Sequence, residues 1–371
     1  MKILVTGGAG FIGSHLVDGL LAEGHEVRIL DNLDPQVHGP GRTPPSYLNA
    51  EAEFLEGDVR DADAVARALD GVEAVFHEAA AVGVGQSMYE IARYVSVNSG
   101  GAATLLEGIV ARRDRIRRVI VASSMSVYGE GAYRTADGQD AVPAPRGIEQ
   151  LERHAWELCD ASDRPLLPVP TREDKPLAPS SVYAVTKRDH EELFLVTGAA
   201  YGIEAVALRY FNTYGTRQAL SNPYTGLLAI VSSELLNGHR PVIFEDGEQC
   251  RDFVHVGDVV QANLLALASP QAPGHVYNVG AGRAISVNQA VERLARELGS
   301  QLQPEISDKF RAGDIRHCYA DIGRIERDLG YRPSVAFEDG VAELVGWVRH
   351  QSADDRLARV VGDLERRTLV R

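Results

Sequence analysis

Lys2-Ile3-Leu4-Val5-Thr6-Gly7-Gly8-Ala9-Gly10-Phe11-Ile12-Gly13 opens the chain, and Glu26-Val27-Arg28-Ile29-Leu30-Asp31 follows shortly after it. The two apolar runs read as strands, and the amphipathic stretch Ser14 to Glu23 between them reads as a helix. Together they predict one βαβ unit whose first turn carries G-x-G-x-x-G at Gly8 to Gly13. Directly after a strand and opening a helix, that motif has a physical use. Its glycines permit a tight turn, close backbone approach to a pyrophosphate and close helix–strand packing, while the helix N-terminus favours the anion.

Outward from this unit the alternation continues. Strand candidates at Glu53 to Glu56, Ala74 to His77, Val119 to Ser123 and Ala205 to Tyr210 are separated by helical stretches such as Asp63 to Leu69 and Asn98 to Arg112. The fold class expected is therefore α/β, a Rossmann-type doubly wound parallel sheet with a smaller C-terminal α/β lobe. The sheet domain is expected over 1–210, with about 255–280 returning to it and an insertion at about 130–180. The lobe takes 211–254 and 281–350, with Ser286 to Leu298 and Glu338 to Arg349 as its clearest helices. Residues 351–371 read as a tail or a helix. Asp34 to Ser46 and Glu130 to Ser180 read as loops, the second with a short helix at Ile148 to Leu158.

Composition narrows the function. With 371 residues, 44% of them hydrophobic, the chain can bury a large core, and its formal charge of −14 argues against a nucleic-acid or anionic-membrane partner. The basic run Arg112 to Arg118 reads as a solvated helix end. Cys159, Cys250 and Cys318 are widely spaced with no CxxC pair, so neither a disulfide framework nor a metal site is expected and the cytoplasm fits best. No apolar stretch approaches the roughly 18–20 residues that span a bilayer, and the chain enters a strand without a basic leader.

Asp31 closes the second strand, where a carboxylate accepts hydrogen bonds from a ribose. With no Arg immediately after it, Asp31 points to NAD rather than NADP, although a turn-capping role is also open to it. Asp58, after the next strand, could accept from the adenine amino group or serve only as a turn residue. Tyr183 and Lys187 are spaced i, i+4, which on a helix places both on one face. A phenol of pKa about 10 is a poor base at neutral pH until a neighbouring cation stabilises its phenolate. Ser124 follows the strand at Val119, at the edge where such sheets present ligand-binding residues, and could hydrogen-bond a substrate oxygen.

These residues resemble the NAD-dependent epimerase/dehydratase family, the extended short-chain dehydrogenases that act on nucleotide sugars. The resemblance runs through Thr6 to Gly13, Asp31, Gly57-Asp58, His77-Glu78-Ala79-Ala80, Asn98, Ser123 to Gly129, and Tyr183 with Lys187, in family order. It implies an NAD site formed by Gly7, Gly10, Phe11, Ile12, Gly13, Asp31, Asn32, Asp58, Val59, Ala79, Ala80, Asn98, Tyr183 and Lys187. It implies Ser124, Tyr183 and Lys187 as catalytic residues. Asn212, Arg251, Arg311 and Asp314, with Ser124, Ser126 and Tyr183, are implied to hold a dTDP- or UDP-linked sugar, the arginines suiting its diphosphate.

The resemblance also bears on the reaction. Family dehydratases and decarboxylases carry acidic residues after the catalytic Ser or Thr, where this chain has Met125 and Ser126. That favours 4-epimerisation through a transient 4-keto sugar over dehydration or decarboxylation, with a net oxidoreductase on a nucleotide sugar also open; the intact Ser124, Tyr183 and Lys187 argue against a non-catalytic NAD-binding regulator. Ala79 to Glu90 and Ser221 to Gly226 most resemble dTDP-L-rhamnose 4-epimerases, with UDP-sugar 4-epimerases close by. Tyr128 and Tyr183 are farther apart than in the shorter family members, so 130–180 is expected to form an extra element; Cys159 has no partner there, and no structural zinc is expected. Cys318 falls where some epimerases place a bulky Tyr beside the sugar, although core packing explains it equally well. The family's habit of pairing through helices like Val97 to Arg112 and Tyr183 to Tyr201 implies a homodimer.

Overall fold

The computed structural model describes residues 1–311 and 313–371. Seven parallel strands, β1 (Lys2–Thr6), β2 (Glu26–Asp31), β3 (Glu53–Glu56), β4 (Ala74–His77), β5 (Arg118–Ser124), β6 (Glu204–Tyr210) and β7 (Val276–Val279), form one sheet in the order β7-β6-β5-β4-β1-β2-β3. Chain direction across the sheet reverses between β1 and β4, the switch point beside which open α/β sheets bind ligands. In register, Thr6 lies opposite Leu30 and His77, and Ser124 lies opposite Tyr210, so the functional candidates share one carboxyl edge.

Alternation along each strand builds two cores. Ile3, Val5, Phe76 and Ile120 face α1 (Phe11–Ala22) and α5 (Val256–Ala268), where Leu16, Leu20, Val259 and Ala266 are buried. Leu4, Val75, Val119 and Val121 face the opposite way, against α2 (Ala62–Ala68), α3 (Gly101–Val110) and α4 (Val182–Tyr201) through Val65, Leu105, Ile109 and Phe194. Each fully buried side chain of this size contributes about 1.5–3 kcal/mol. Burial on both faces explains why the strands read as nearly continuous apolar runs.

The lobe packs helices Leu227–Leu236, Val287–Leu298 and Phe337–Val348 around Leu228, Val291, Leu294, Val341 and Leu344. Ser286 starts the second of these with a capping box, its hydroxyl accepting from Gln289 N while the Gln289 side chain accepts from Ser286 N. The inserted stretch folds into a three-stranded antiparallel sheet with Ala132–Arg134 between Asp140–Ala141 and Leu167–Val169.

Three local readings change, and of the tail or helix expected over 351–371 the helix is found. The helix expected over Ile148 to Leu158 ends at Glu152, because His154 takes a left-handed φ of 55° and Trp156 turns back to stack on it. The α-helix expected from Asn98 begins instead at Gly101, after a π-helical turn over Val95–Gly100 that contains the buried Asn98. Asp34 to Ser46 contains a single helical turn, Pro35–His38, capped by the Asp34 carboxylate. Residues 357–366 form an amphipathic helix, Leu357–Arg366, whose Leu357, Val360 and Leu364 are buried. Among the described residues, no helix is long and apolar enough to cross a membrane.

Candidate active site

A cavity of about 790 Å³ runs along the carboxyl edge of the sheet, from the glycine-rich turn to the lobe. At one end stand Gly7, Gly10, Phe11, Ile12, Gly13, Asp31, Asn32, Val59, Ala79 and Ala80. Two glycines there are required by space. A Cβ on Gly7, which has φ +71°, would meet Ala79 N at 2.7 Å, and one on Gly13 would overlap the Gly7 carbonyl oxygen. Gly10 begins α1 with no side-chain cap, leaving first-turn amides for an anion. The Asp31 carboxylate is held by the amides of Ala9 (3.0 Å) and Leu33 (2.9 Å). This cradle, with its aimed carboxylate, fits a dinucleotide.

The centre is built from β5 and the first turn of α4. Ser124 ends β5 and caps the short helix that follows, accepting from Ser126 N at 3.2 Å. Ser181 caps α4 through Ala184 N, and the Tyr183 amide donates to the Ser87 hydroxyl at 3.0 Å, so the tyrosine's position is set by two independent segments. Burial pushes the Tyr183 phenol up to about 12, opposed by the hydroxyl of Ser124. Lys187 Nζ donates to the Ala122 carbonyl at 2.9 Å; burial lowers its pKa, opposed by the charge of Glu78. Burial raises the pKa of Glu78, opposed by the hydroxyl of Tyr210, which donates to it at 2.7 Å, and by Lys187. The Ser124 hydroxyl thus favours the Tyr183 phenolate against burial, with Lys187 one turn further along the same helix.

At the far end Asn212, Arg251, Arg311 and Asp314 line the wall with Ser126. The buried Asn212 Oδ1 and Ser126 Oγ have no hydrogen-bond partner among the described residues, as suits groups that would bind a ligand. Arg251 is aimed by donating to the carbonyls of Cys250, Ile315 and Arg316, while Arg311 pairs with Asp314 at 2.7 Å and lies over the Phe244 ring.

Two cofactor candidates stand off the wall. Asn98 is fully buried, bonded to the amide and carbonyl of Ala81 and to Thr186, so it supports the wall instead of forming it. Asp58 is bracketed by Arg60 and Asn32, which hold its pKa well down, while its neighbours Gly57 and Val59 reach the cavity. Cys318 is also off the wall, buried beside Thr171, so core packing and not a gate beside the sugar accounts for it.

The sequence reading did not assign Ser87, Tyr210 or the apolar wall of Phe244, Val360 and Leu364. Glu78 was legible only as part of a landmark, and nothing local marks its pairing with Tyr210.

With this geometry established, comparison with known proteins is direct. The model of the NAD dependent epimerase/dehydratase family matches residues 3–147 and 161–280. The chain belongs to that family and uses NAD. It is 35% identical over 353 residues to a dTDP-L-rhamnose 4-epimerase of Burkholderia thailandensis, covering 94% of this chain and 95% of that one. A UDP-glucose 4-epimerase of Thermotoga maritima, solved with UDP-glucose, superposes with a TM-score of 0.77 at 32% identity over 94% of this chain and 99% of the other. A dTDP-glucose 4,6-dehydratase of Streptomyces venezuelae, solved with NAD bound, gives 0.76 at 30% identity over 95% and 98%.

Proposed function

We propose that the protein inverts C4 of a dTDP- or UDP-linked sugar, with a 6-deoxyhexose such as dTDP-L-rhamnose as the first substrate to test. The observation that carries this reading is the grouping of Ser124, Tyr183 and Lys187 in one cavity, with Met125 and Ser126 after Ser124 where elimination chemistry would need an acid.

NAD would lie on the Gly7 to Gly13 cradle with its ribose at Asp31 and its adenine near Asn32 and Val59, and when bound it accepts and returns a hydride. Asp58 acts in this reading by holding Asn32, and Asn98 by holding Ala81. Tyr183 Oη takes the proton of the C4 hydroxyl and later returns it. Ser124 Oγ orients the same oxygen, and Lys187 Nζ supplies the positive charge that makes the phenolate accessible. Asn212, Arg251 and Arg311 with Asp314 would hold the nucleoside diphosphate while the 4-keto ring turns over and presents its opposite face for reduction. Binding energy remote from the reacting carbon thus keeps the intermediate from escaping.

A homodimer through α3 and α4 is part of the proposal. Val95, Val185, Val196 and Tyr201 are exposed on and before those helices, as a helical pairing face requires. The three unpaired cysteines suit the cytoplasm.

The deciding experiment incubates the protein, without added NAD, with dTDP-L-rhamnose, UDP-glucose, UDP-glucuronate and UDP-N-acetylglucosamine, and resolves C4 epimers by proton NMR. A same-mass epimer establishes the reaction. A product lighter by water or carbon dioxide replaces it with dehydration or decarboxylation. Tyr183→Phe is expected to abolish turnover while sparing NAD binding, and full activity in that variant would sink the assignment.

A further inference from the structure

Behind one wall of the cavity, buried charges gather where the inserted segment meets the lobe. Arg316, 1% exposed, uses all five guanidinium N–H groups: Nε and Nη2 donate to Glu157, Nη2 and Nη1 to Asp246, and Nη1 to Glu245, at 2.6–3.1 Å. Arg146, whose side chain is 3% exposed, donates to Glu245 at 2.9 Å, to the Trp156 carbonyl at 3.3 Å and to the Asp314 carbonyl at 3.0 Å. Glu130 accepts from the backbone amide of Arg316 through both oxygens (2.8 and 2.9 Å), and Ser180 Oγ donates to the Gly313 carbonyl at 2.8 Å.

The partition of these contacts is informative. Glu130, Arg146, Glu157 and Ser180 come from the insertion. What they grip is the stretch 313–316, which carries Asp314, the partner of Arg311, and whose carbonyls at Ile315 and Arg316 aim Arg251. Desolvating this many charges makes the network a poor source of stability, since apolar replacements often do as well. A planar guanidinium with every donor satisfied, however, admits one orientation, so the network sets geometry.

We infer that the insertion is a positioning element for the nucleotide-binding arm, with Arg146 as its principal positioning residue: through the Asp314 carbonyl and Glu245 it fixes where Arg311, Asp314 and Arg251 stand. This rests on the reading that those three residues hold the nucleoside diphosphate. Arg146 does not line the cavity, so its removal loosens the arm without removing a ligand contact. Weakening the charge-assisted hydrogen bonds that such an arm makes to a diphosphate costs on the order of 10- to 100-fold in affinity.

The test measures binding of UDP and dTDP, NAD affinity, kcat and KM for Arg146→Gln, Arg146→Lys, Ser180→Ala, Arg311→Gln and Arg146→Gln combined with Arg311→Gln. Arg146→Gln is expected to weaken nucleotide binding and raise KM by about 10- to 100-fold, with NAD affinity within twofold and kcat within about threefold of the parent. Arg146→Lys, which keeps the charge but not the fork, is expected to fall between. In the Arg311→Gln background the same change is expected to add under threefold, because both act on one arm. If Arg311→Gln leaves nucleotide binding intact, the reading of the site fails. If Arg311→Gln weakens binding but Arg146→Gln does not, or if NAD and nucleotide affinities fall in parallel, the positioning role fails. Should Arg146→Gln not fold, Arg146→Lys and Ser180→Ala decide, and parental KM in both overturns the inference.

Discussion

Glu191→Gln is expected to be among the most destabilising isosteric changes this protein can suffer. Glu191 lies one turn beyond Lys187 on α4, and Arg209 lies on β6, both side chains 5% exposed or less. Arg209 donates to both Glu191 oxygens at 2.7 Å, with its remaining donors on the Tyr128 hydroxyl (2.8 Å) and the Glu173 carbonyl (3.1 Å). The Ser123 hydroxyl, one residue from Ser124, donates to the same carboxylate. Neutralising Glu191 leaves a guanidinium buried without its counter-charge, which costs about 3–5 kcal/mol. Arg209→Met with Glu191→Leu removes both charges. It is expected to destabilise by at least about 2 kcal/mol less than the two single changes summed, the residual cost coming from the orphaned Ser123 hydroxyl, while the Tyr128 hydroxyl keeps its bond to Asn278. Urea unfolding without NAD, checked for unchanged slope, reads both quantities. Stability of Glu191→Gln within about 1 kcal/mol of the parent, or strict additivity in the double variant, would refute the reasoning.

Acid sensitivity should trace in part to His77, fully buried with Nδ1 on the Thr6 hydroxyl at 2.8 Å; burial first and the Lys187 charge second hold its pKa down at about 3. The unfolded chain therefore binds a proton below about pH 6.5 that the native state refuses, so stability is intact above 6.5 and falls by up to about 5 kcal/mol as pH drops towards 3. His77→Gln should lessen the pH dependence of the urea midpoint over that window, with His190, also buried and held well below its usual pKa by burial, supplying the rest, and an unchanged slope would contradict the assignment. Gly13→Ala would drive its Cβ into the Gly7 carbonyl oxygen and Gly8 Cα, and is expected to weaken NAD binding at least tenfold by titration; parental affinity would mean the turn is not rigid. Leu364→Ala cuts back an apolar residue that is 4% exposed and packs with Phe244 and Val360 against the cavity. A loss of about 2–5 kcal/mol in helix docking should speed protease cleavage between Gln351 and Arg356 at least tenfold, and an unaltered rate would show that the helix is not held there.

What could be read in advance follows from how local each determinant is. β1, α1 and β2 announce themselves because an apolar strand, a glycine turn and an amphipathic helix are each encoded within a few residues, and β7 because Val276 to Val279 keeps the same apolar character after a helix. Tyr183 and Lys187 were legible because i, i+4 spacing is itself a statement of geometry. Asp58 and Asn98 show the limit of that logic. Both occupy positions from which the cofactor could be reached, yet Arg60 claims the first and Ala81 with Thr186 the second, and only the fold reveals those competitors. The insertion was opaque for the same reason in stronger form, since Arg146 and Arg316 are 170 positions apart and meet through Glu245, a residue of neither neighbourhood. A lone Arg in a proline-rich stretch carries no mark of burial, because its charge is tolerated inside only when distant carboxylates are delivered to it. The proposed catalytic chemistry is therefore written in short motifs, while the placement of the proposed nucleotide-binding arm is written in pairings that exist only once the chain has closed on itself.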